Sequence, residues 1–273
     1  MKNIIVPTDF SAASKQAAMY AVSLAKQCGA AVHLINVVTP PVVIDDSILP
    51  TVMQLQADIL RDNRKLMDEE ISRFSKENLL VTGFVEEGGT MEIISTYFIE
   101  KKSDLVVMGM KGKGNSHSVF GSTTTSILQK FSFPTLVIPE HATFQYINQI
   151  TLAADFNASI DMERYDLLLG IADAFDSTIN ILNVDQSPNS MKQEEVIGKM
   201  KTNLAFLKHT HHFHTIQESD VVEGISQFIA RHPTDLLVMI AQKHSFFERL
   251  FGKVHTKAMT YQTEIPLLVL QNK

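Results

Sequence analysis

A glycine-rich run in the middle of the chain has the composition of an anion-binding loop. Gly109, Gly112 and Gly114 follow an apolar segment, and Gly121-Ser122-Thr123 opens a helical pattern. Phosphate sites need exposed backbone N–H groups, and glycine lets the backbone approach the anion. A helix start adds free N–H groups and the positive end of the helix dipole. The run therefore predicts a phosphate site, to which Lys111 adds charge unless it stays solvated.

The run matches neither common nucleotide-binding motif. No Gly-Lys-Ser/Thr triplet closes it, as a Walker A loop requires, and the dinucleotide fingerprint would follow the first strand of a fold rather than the fourth. The chain also lacks a Gly-x-Ser-x-Gly elbow and a His-Glu-x-x-His pair. We therefore expect a binding protein and not an enzyme.

The two halves of the chain repeat each other, and the repeat supplies the elements that must position this loop. Each anchor segment of the first half has a counterpart in the second, and most of these segments read as buried strands. The matched pairs are Pro7–Ser11 with Ala153–Asn157, His33–Val37 with Ile179–Val184, Ser103–Met108 with Thr234–Met239, and Phe133–Ile138 with Ile265–Leu270. Each half therefore has the same order of strands.

Helical patterns alternate with these strands. One runs from Ala12 to Gly29, with Ser11 as its N-cap and Gly29 as its C-terminal stop, and another runs from Thr90 to Lys101. Strands that are apolar throughout and alternate with helices predict an α/β fold with a parallel, doubly wound sheet in each half. The ligand site of such a sheet lies beyond the carboxyl ends of the strands where the strand order reverses, next to Thr8-Asp9 and Gly109.

The first half contains an insertion, most of it between Thr39 and Asp62. It leads into a long amphipathic helical pattern, which we expect to overhang the carboxyl ends of the strands. The apolar positions of this pattern are Leu55, Ile59, Leu66 and Ile71.

A polar stretch from Glu140 to Gln149 separates the halves and is the natural linker. We place the domains at residues 1–142 and 147–273.

The composition of the chain limits the kinds of partner that we expect for the protein. The formal net charge is -6, from 24 basic and 30 acidic residues without a basic block, so neither nucleic acid nor an anionic membrane is indicated. Cys28 is the single cysteine and no apolar run approaches a membrane span, so we expect a cytoplasmic protein.

Several of these motifs together resemble the universal stress protein family. They are the opening Ile4–Ser11, the strand Asp104–Gly109, the Gly-x-x-Gly spacing of Gly109 and Gly112, the pair Gly121-Ser122, and the closing Pro134–Pro139. The resemblance extends over essentially the whole chain, once in each half. It implies two tandem Rossmann-like domains of the adenine nucleotide alpha hydrolase-like type, each a five-stranded parallel sheet. It also implies pairing through the last strands, Thr135–Ile138 and Leu267–Leu270, as an internal pseudo-dimer, and leaves further homo-oligomers open.

One branch of this family holds ATP at the glycine loop, which implies an adenine-nucleotide site in the N-terminal half. By position, Asp9 would lie near the ribose and base, Val37 would offer main-chain hydrogen bonds to adenine, and the residues from Gly121 to Thr123 would bind phosphate. The full implied set is Pro7, Thr8, Asp9, Val37, Met108, Gly109, Lys111, Gly112, Gly121, Ser122 and Thr123. Replacing Gly109 with Ile is expected to block binding without unfolding the domain.

The loop departs from the family pattern, since Gly112 and Gly121 enclose one residue fewer than is usual in the nucleotide-binding branch. Three interpretations remain: a non-enzymatic stress-response regulator that binds ATP or a related nucleotide, a nucleotide-free interaction protein of the same fold, and a weak ATPase. The retained glycines and Asp9 favour the first.

The second half departs further. Alignment places Ile240 opposite Gly109, Lys243 opposite Gly112 and Lys253 opposite Ser122. A β-branched side chain at the first position blocks a close backbone approach, so we interpret this site as degenerate. Asp155 survives opposite Asp9, and we assign it to a helix cap. Lys243, Arg249 and Lys253 are either solvated or bind another anion, and Phe246, Phe247 and Phe251 either pack beneath the loop or form a partner surface.

Four histidines, His209, His211, His212 and His214, crowd into one segment of the second half. Alternate residues of a strand share a face, so pairs of them are placed to ligate a metal. The repeat makes this segment the third strand, at the edge of the sheet, where polar side chains discourage edge-to-edge pairing. We favour the edge-strand interpretation and assign no metal.

Overall fold

The computed structural model describes residues 1–41, 45–110, 122–130, 133–154, 156, 162–186, 193–241 and 265–271. The strands of the first half are β1 (Asn3–Pro7), β2 (Ala31–Val38), β3 (Val81–Glu87), β4 (Leu105–Met110) and β5 (Thr135–Pro139). Its helices are α1 (Ala12–Cys28), α2 (Leu49–Phe74), α3 (Thr90–Glu100) and α4 (Ser122–Lys130). A short 3-10 helix, Asp46–Ile48, leads into α2.

The second half repeats this order. Its strands are β6 (Gln149–Ala153), β7 (Thr178–Asp185), β8 (His211–Gln217), β9 (Leu236–Ala241) and β10 (Leu267–Gln271). Its helices are α5 (Asp166–Phe175), α6 (Gln193–Ala205) and α7 (Val221–Ile229), with a 3-10 turn at Met162–Tyr165. None of the helices in the described ranges has the length and apolar character needed to cross a membrane.

Within the described ranges the strands form one ten-stranded sheet, in the order β3-β2-β1-β4-β5-β10-β9-β6-β7-β8. All neighbours within a half are parallel, whereas β5 and β10 are antiparallel, with Val137 opposite Leu267 and Thr135 opposite Val269. The predicted pair of five-stranded parallel sheets, joined through their last strands as a pseudo-dimer, is confirmed. The third strand of each half lies at an edge, as predicted for the histidine-rich segment.

The first helix shows how local sequence sets the ends of an element. The side chain of Ser11 accepts a hydrogen bond from the backbone N–H of Ser14, so α1 begins with the predicted cap. Gly29 ends the helix in the left-handed region at φ 66°, and its N–H donates to the carbonyl of Ala25. Asp176 takes the same left-handed conformation at the end of α5, at φ 50°.

The central strands of the sheet are buried on both faces, as expected for parallel strands covered by helices. One continuous core cluster joins α1 and α2 of the first half to α5 of the second, with Leu24, Met67 and Phe175 among its members. On the other face, Ile94 and Ile127 pack over β4, and a further cluster joins Val137 to Leu182 and Phe228. Because two of the three clusters cross the β5–β10 seam, the halves share one interior.

The same carboxylate clamp closes the amino-terminal end of the sheet in each half. Oδ2 of Asp104 accepts from the backbone N–H groups of Lys2 and Asn3, at 2.5 and 3.0 Å. Oδ2 of Asp235 accepts from those of Asn148 and Gln149, at 2.9 and 2.8 Å. In each half, an aspartate just before the fourth strand thus accepts hydrogen bonds from the backbone N–H groups at the start of the first strand, which would otherwise be unpaired.

The insertion forms the long helix α2. Its 26 residues span about 39 Å, whereas the seven residues of β3, against which it packs, span about 23 Å. The helix therefore extends beyond the strands. The apolar positions named from the sequence are only partly buried: Ile71 packs against the core, but Leu55, Ile59 and Leu66 are exposed. The residues of α2 that are buried are Met67, Glu70 and Phe74.

The predicted linker is a packed connection. Ile147 is buried, and the ring of Phe144 lies 5.0 Å from that of Tyr20 in edge-on contact. The side-chain amide of Gln16 donates to the carbonyl of Ala142 at 2.5 Å. Strand β6 begins at Gln149, so the connection ends at Asn148. Helix α1 thus holds the linker against the body of the protein.

Candidate functional site

A cavity of about 320 Å³ lies at the carboxyl ends of β1, β2 and β4. This is the place where the strand order reverses, because β1 has β2 on one side and β4 on the other. Its lining residues are Pro7, Thr8, Asp9, Ser11, Ala13, Ser14, Ile35, Asn36, Val37, Thr90, Ile94, Met108, Gly109, Thr123 and Thr124. The volume is within the range of small-molecule sites, about 300–1,000 Å³.

The turn from β1 to α1 forms one wall of the cavity. The backbone N–H of Thr8 donates to the carbonyl of Ile35 at 2.8 Å, which holds the turn against β2. The Thr8 hydroxyl donates to the hydroxyl of Ser14 at 3.1 Å and accepts from the N–H of Phe10 at 3.1 Å. Phe10 has a φ of 60°, in the left-handed region that is unusual for a bulky residue. The turn is thereby fixed in a single tight conformation.

Asp9 supplies a carboxylate at this turn, and its Oδ1 accepts from the N–H of Ser11 at 3.1 Å. Partial burial acts to raise the pKa of Asp9, but hydrogen bonds from Ser11 and Ser14 outweigh that effect and the pKa lies below its ordinary value. The side chain is therefore a charged acceptor at neutral pH. It would attract hydroxyl donors and repel phosphate oxygens.

Asn36, at the end of β2, connects the turn to the long helix. Its Nδ2 donates to the carbonyl of Thr8 at 2.8 Å, and its Oδ1 accepts from Nδ2 of Asn63 on α2 at 2.9 Å. The side chain is buried. Sequence reasoning did not name Asn36 as a site residue, although its pairing with Val37 recurs as Asn183-Val184 and gave a usable signal.

Gly109 lies on β4 where that strand meets the start of α1. A Cβ at this position would lie 2.2 Å from the carbonyl oxygen of Ala13 and 2.5 Å from its carbonyl carbon. Packing against the α1 backbone thus requires glycine whether or not a ligand is bound. A methyl group here already meets main-chain atoms, so replacement by Ile would disturb the fold as well as the site, and the expected loss of binding without unfolding stays a prediction.

The start of α4 forms the opposite wall. Thr123 and Thr124 both line the cavity, and the Thr124 hydroxyl lies 3.4 Å from the carbonyl of Gly109. Free N–H groups and the positive end of a helix dipole suit an anion at such a place. The cavity thus has an acidic group on one wall and a helix start on the other.

Seven of the eleven residues predicted for the site line this cavity: Pro7, Thr8, Asp9, Val37, Met108, Gly109 and Thr123. Three others, Lys111, Gly112 and Gly121, lie outside the described residues, as does the side chain of Ser122, the first residue of α4. The lining residues that the sequence did not single out include Asn36, Ser14, Thr90 and Thr124.

The corresponding end of the second half falls largely outside the described residues. Ile240, opposite Gly109, is in β9 and half-buried. The other residues of this region that were interpreted from the sequence lie outside the described ranges; they are Asp155, Lys243, Phe246, Phe247, Arg249, Phe251 and Lys253. The degenerate second site and the helix-cap role of Asp155 remain predictions.

Three of the four histidines of β8 and its approach are engaged with neighbouring side chains. Nε2 of His209 lies 2.9 Å from Oδ1 of Asp173, and Nε2 of His211 lies 2.9 Å from Oδ1 of Asn203. Nε2 of His214 lies 3.0 Å from Oδ1 of Asn180. Over the described part of the chain, no three His, Cys, Asp or Glu side chains are grouped so that they could hold a metal ion.

Known proteins share this architecture. A universal stress protein of Methanocaldococcus jannaschii is 28% identical over 141 residues, which are 50% of this chain and 81% of that protein. The crystal structure of a universal stress protein from Archaeoglobus fulgidus DSM 4304 has a TM-score of 0.74 at 12% identity, covering 99% of this chain and 98% of its own. A putative universal stress protein from Pseudomonas aeruginosa UCBPP-PA14 has a TM-score of 0.55 at 14% identity, covering 99% of this chain and 93% of its own.

The two crystal structures show the same fold across both halves. At the sequence level, residues 1–139, half of the chain, match the model of the Universal stress protein family. This chain belongs to the universal stress protein family.

Proposed function

We propose that this chain is a non-enzymatic stress-response protein that binds ATP or a related adenine nucleotide in its N-terminal half. The observation that supports the proposal most is the cavity at the reversal of strand order, where Asp9 and Val37 lie on one side and Thr123 on the other. Its position is the one at which doubly wound sheets bind ligands. In the C-terminal half Ile240 stands where the first half has Gly109, so the proposed site is confined to the N-terminal half.

The charges of the cavity suit the two ends of a nucleotide. The Asp9 carboxylate accepts hydrogen bonds and fits the ribose hydroxyls, while the start of α4 at Thr123 offers N–H groups to phosphate oxygens. The base would lie next to Val37, whose strand ends at the cavity. A nucleotide placed in the opposite sense would bring its phosphates against Asp9, so electrostatic repulsion selects one orientation.

Two groups argue against catalysis. A general base works best with a pKa near the operating pH, and the pKa of Asp9 lies below the ordinary carboxyl value. Burial raises the pKa of Cys28 to about 11, so its thiol stays protonated at neutral pH and is a poor nucleophile. We include a cytoplasmic location in the proposal, since a single reduced cysteine suits that compartment.

One observation favours the alternative of a nucleotide-free interaction protein. Several polar side chains that face the cavity already have partners within the protein: Thr8 pairs with Ser14, and Asn36 pairs with Thr8 and Asn63. When the polar groups of a site already have hydrogen-bond partners in the protein, the site can stay without a ligand at little cost in free energy.

Isothermal titration with ATP tests the two functions. We expect binding by the wild type and a rise in Kd of about ten- to a hundredfold in Asp9→Ala, since a hydrogen bond to a charged acceptor is worth about 1.5–3 kcal/mol. Asp155→Ala, the matching change in the second half, is the control and should bind as the wild type does. Asp9 also accepts a hydrogen bond from the N–H of Ser11, so thermal unfolding of Asp9→Ala is recorded to show that the variant is folded at the temperature of the titration.

Absence of heat at millimolar ATP, together with no nucleotide in mass spectra of the denatured protein, would leave the interaction-protein interpretation. Equal weakening by Asp9→Ala and Asp155→Ala would contradict a site restricted to the N-terminal half. Multiple turnovers of ATP hydrolysis that depend on Asp9 would contradict the non-enzymatic assignment.

A further inference from the structure

Helix α6 buries one face and exposes apolar side chains on the opposite face. Gly198, Thr202 and Phe206, in the helix and the turn after it, face the interior and are buried. The exposed apolar residues of the same segment are Val196, Ile197, Met200, Leu204 and Leu207, and the last three are 64%, 61% and 64% exposed.

At 100° per residue the four of these side chains that lie within the helix group on the side opposite Gly198 and Thr202, and Leu207 follows in the turn after it. A surface helix of a folded domain normally carries charged and polar residues there. An apolar row of this extent on the outer face is typical of a surface that another protein covers.

A second row of exposed apolar side chains lies on α2. Leu55, Ile59 and Leu66 are spaced by four and seven residues, which places them along one side of the helix, and all three are exposed. Ile48, just before the helix, continues this row and is also exposed. The row begins in the part of α2 that extends beyond the strands, where the protein's own sheet cannot cover it.

The apolar row of α6 is bordered by basic residues, whereas most of the charged residues in and beside the row of α2 are acidic. The sequence from Val196 to His214 contains no acidic residue, and Lys199, Lys201 and Lys208 border the apolar row of α6. On α2, Asp62 and Glu69 fall in the same row as Leu55, Ile59 and Leu66, and Asp58 borders it; Arg73, near the end of the helix, is the basic residue in that row. Arg61 pairs with Asp58 at 2.9 Å and with Asp62 at 3.4 Å, but all three side chains are substantially exposed, so these ion pairs are weak and exchangeable.

The two helices are placed alike in the two halves. Met67 and Phe74 of α2 and Phe206 at the end of α6 belong to the same core cluster, so both helices cover the same face of the sheet. Helix α2 lies by the edge strand β3, and Phe206 contacts His211 of the other edge strand, β8. The complementary rows thus lie at opposite ends of one molecular face.

We propose that a second copy of this chain docks on this face, with α6 of each copy packed against α2 of the other. Apolar rows meet in both contacts, and the lysines beside α6 face the carboxylates of α2. A two-fold arrangement makes both contacts at once and closes the assembly as a dimer, whereas a single contact would leave one row uncovered at each end. This interface is separate from the β5–β10 seam and does not depend on the proposed nucleotide.

Sedimentation velocity of the full chain without nucleotide tests the proposal. We expect a species of twice the 30.5 kDa chain mass at micromolar concentration. Met200→Glu with Leu204→Glu should convert it to monomer, raising the dimer Kd at least a hundredfold. The control is Ile99→Glu: Ile99 is 69% exposed on α3, on the other face of the sheet, and its replacement should leave the dimer intact.

A charge exchange tests the pairing itself. Lys201→Glu alone should weaken the dimer about tenfold, and adding Asp62→Lys should recover most of that loss, because opposite charges then face each other again. Each of these variants changes an exposed side chain, so thermal unfolding of the monomer serves as the check on folding. A wild type that stays monomeric, a dimer that survives the double glutamate variant, growth beyond the dimer with concentration, or no recovery in the charge exchange would each overturn the proposal.

Discussion

A Cβ on Gly109 would lie 2.2 Å from the carbonyl oxygen of Ala13, so β4 and the first turn of α1 are in backbone contact. This contact lies directly beneath the candidate site, because both residues line its cavity. It couples the stability of the N-terminal half to the shape of the site, and variants at Gly109 therefore report on both.

We expect Gly109→Ala to lower the free energy of unfolding by about 1–3 kcal/mol, since main-chain atoms of Ala13 must move to admit the methyl group. Gly170→Ala is the matched control: a Cβ at Gly170, within α5, meets nothing within 4 Å, so alanine should be neutral or stabilise by about 0.4–1 kcal/mol. Urea unfolding of both variants measures the difference. Equal stability of Gly109→Ala and the wild type would contradict the close contact.

Asn36 should contribute to the stability of the site and not only to its lining. Asn36→Ala leaves the carbonyl of Thr8 and the amide of Asn63 without the partners that the structure shows, at a cost of about 1–3 kcal/mol. Asn63→Ala should cost less, because Asn63 is half-buried and water can replace it. Chemical denaturation of the two variants gives the comparison, and a larger loss in Asn63→Ala would contradict this account.

The two left-handed helix ends form a matched pair. Gly29 has space for a side chain, since a Cβ there meets nothing within 4 Å, so Gly29→Asp should cost only the backbone strain of about 1 kcal/mol. The reverse change, Asp176→Gly, should stabilise the protein by a similar or smaller amount. Thermal unfolding should therefore shift in opposite directions in the two variants. A shift in the same direction would mean that contacts outweigh the backbone conformation.

His214 should make stability fall in mild acid. Burial, with the nearby His232 and His212, lowers the pKa of His214, and burial with Lys101 lowers that of His33. As pH falls below about 6.5, the unfolded chain takes up protons that the folded protein binds less readily, so the free energy of unfolding decreases. Above that pH these histidines add nothing to the pH dependence of the free energy of unfolding.

His214→Phe places on β8 the residue found at the equivalent position of β3, Phe84. It should reduce the drop in Tm between pH 7.5 and pH 5.5, leaving the part that His33 contributes. His141→Gln, at an exposed position of the linker, is the control and should keep the wild-type drop. An unchanged drop in His214→Phe would show that other groups govern the acid response.

Local signals in the sequence were enough for the helix ends and the strand order. Ser11 and Gly29 act through their own neighbours, and the apolar strands recur in both halves, so the doubly wound pair was predictable from short segments. The seam between the halves followed from the resemblance of Thr135–Ile138 and Leu267–Leu270 to the last strand of the family fold.

Contacts between segments that are distant in the sequence could not be predicted in the same way. The glycine at 109 was attributed to a ligand, but the atoms that demand it belong to Ala13, in another element. Asn36 and Asn63 meet only because α2 folds back over β2. Periodicity showed that α2 is amphipathic without revealing that the row of Leu55 and Ile59 faces solvent, since two neighbouring rows differ by a small rotation of the helix.

The antiparallel joint between β5 and β10 also bears on biosynthesis. Strand β5 lies at the centre of the finished sheet, but its partner Leu267–Gln271 leaves the ribosome only after the rest of the second half has been made. At the usual speed of translation this takes on the order of ten seconds. During that interval Leu136, Val137 and Ile138 form an unprotected apolar edge, which invites pairing with other nascent chains. A folding helper that shields this edge would act on the emerging first half, before the chain is released.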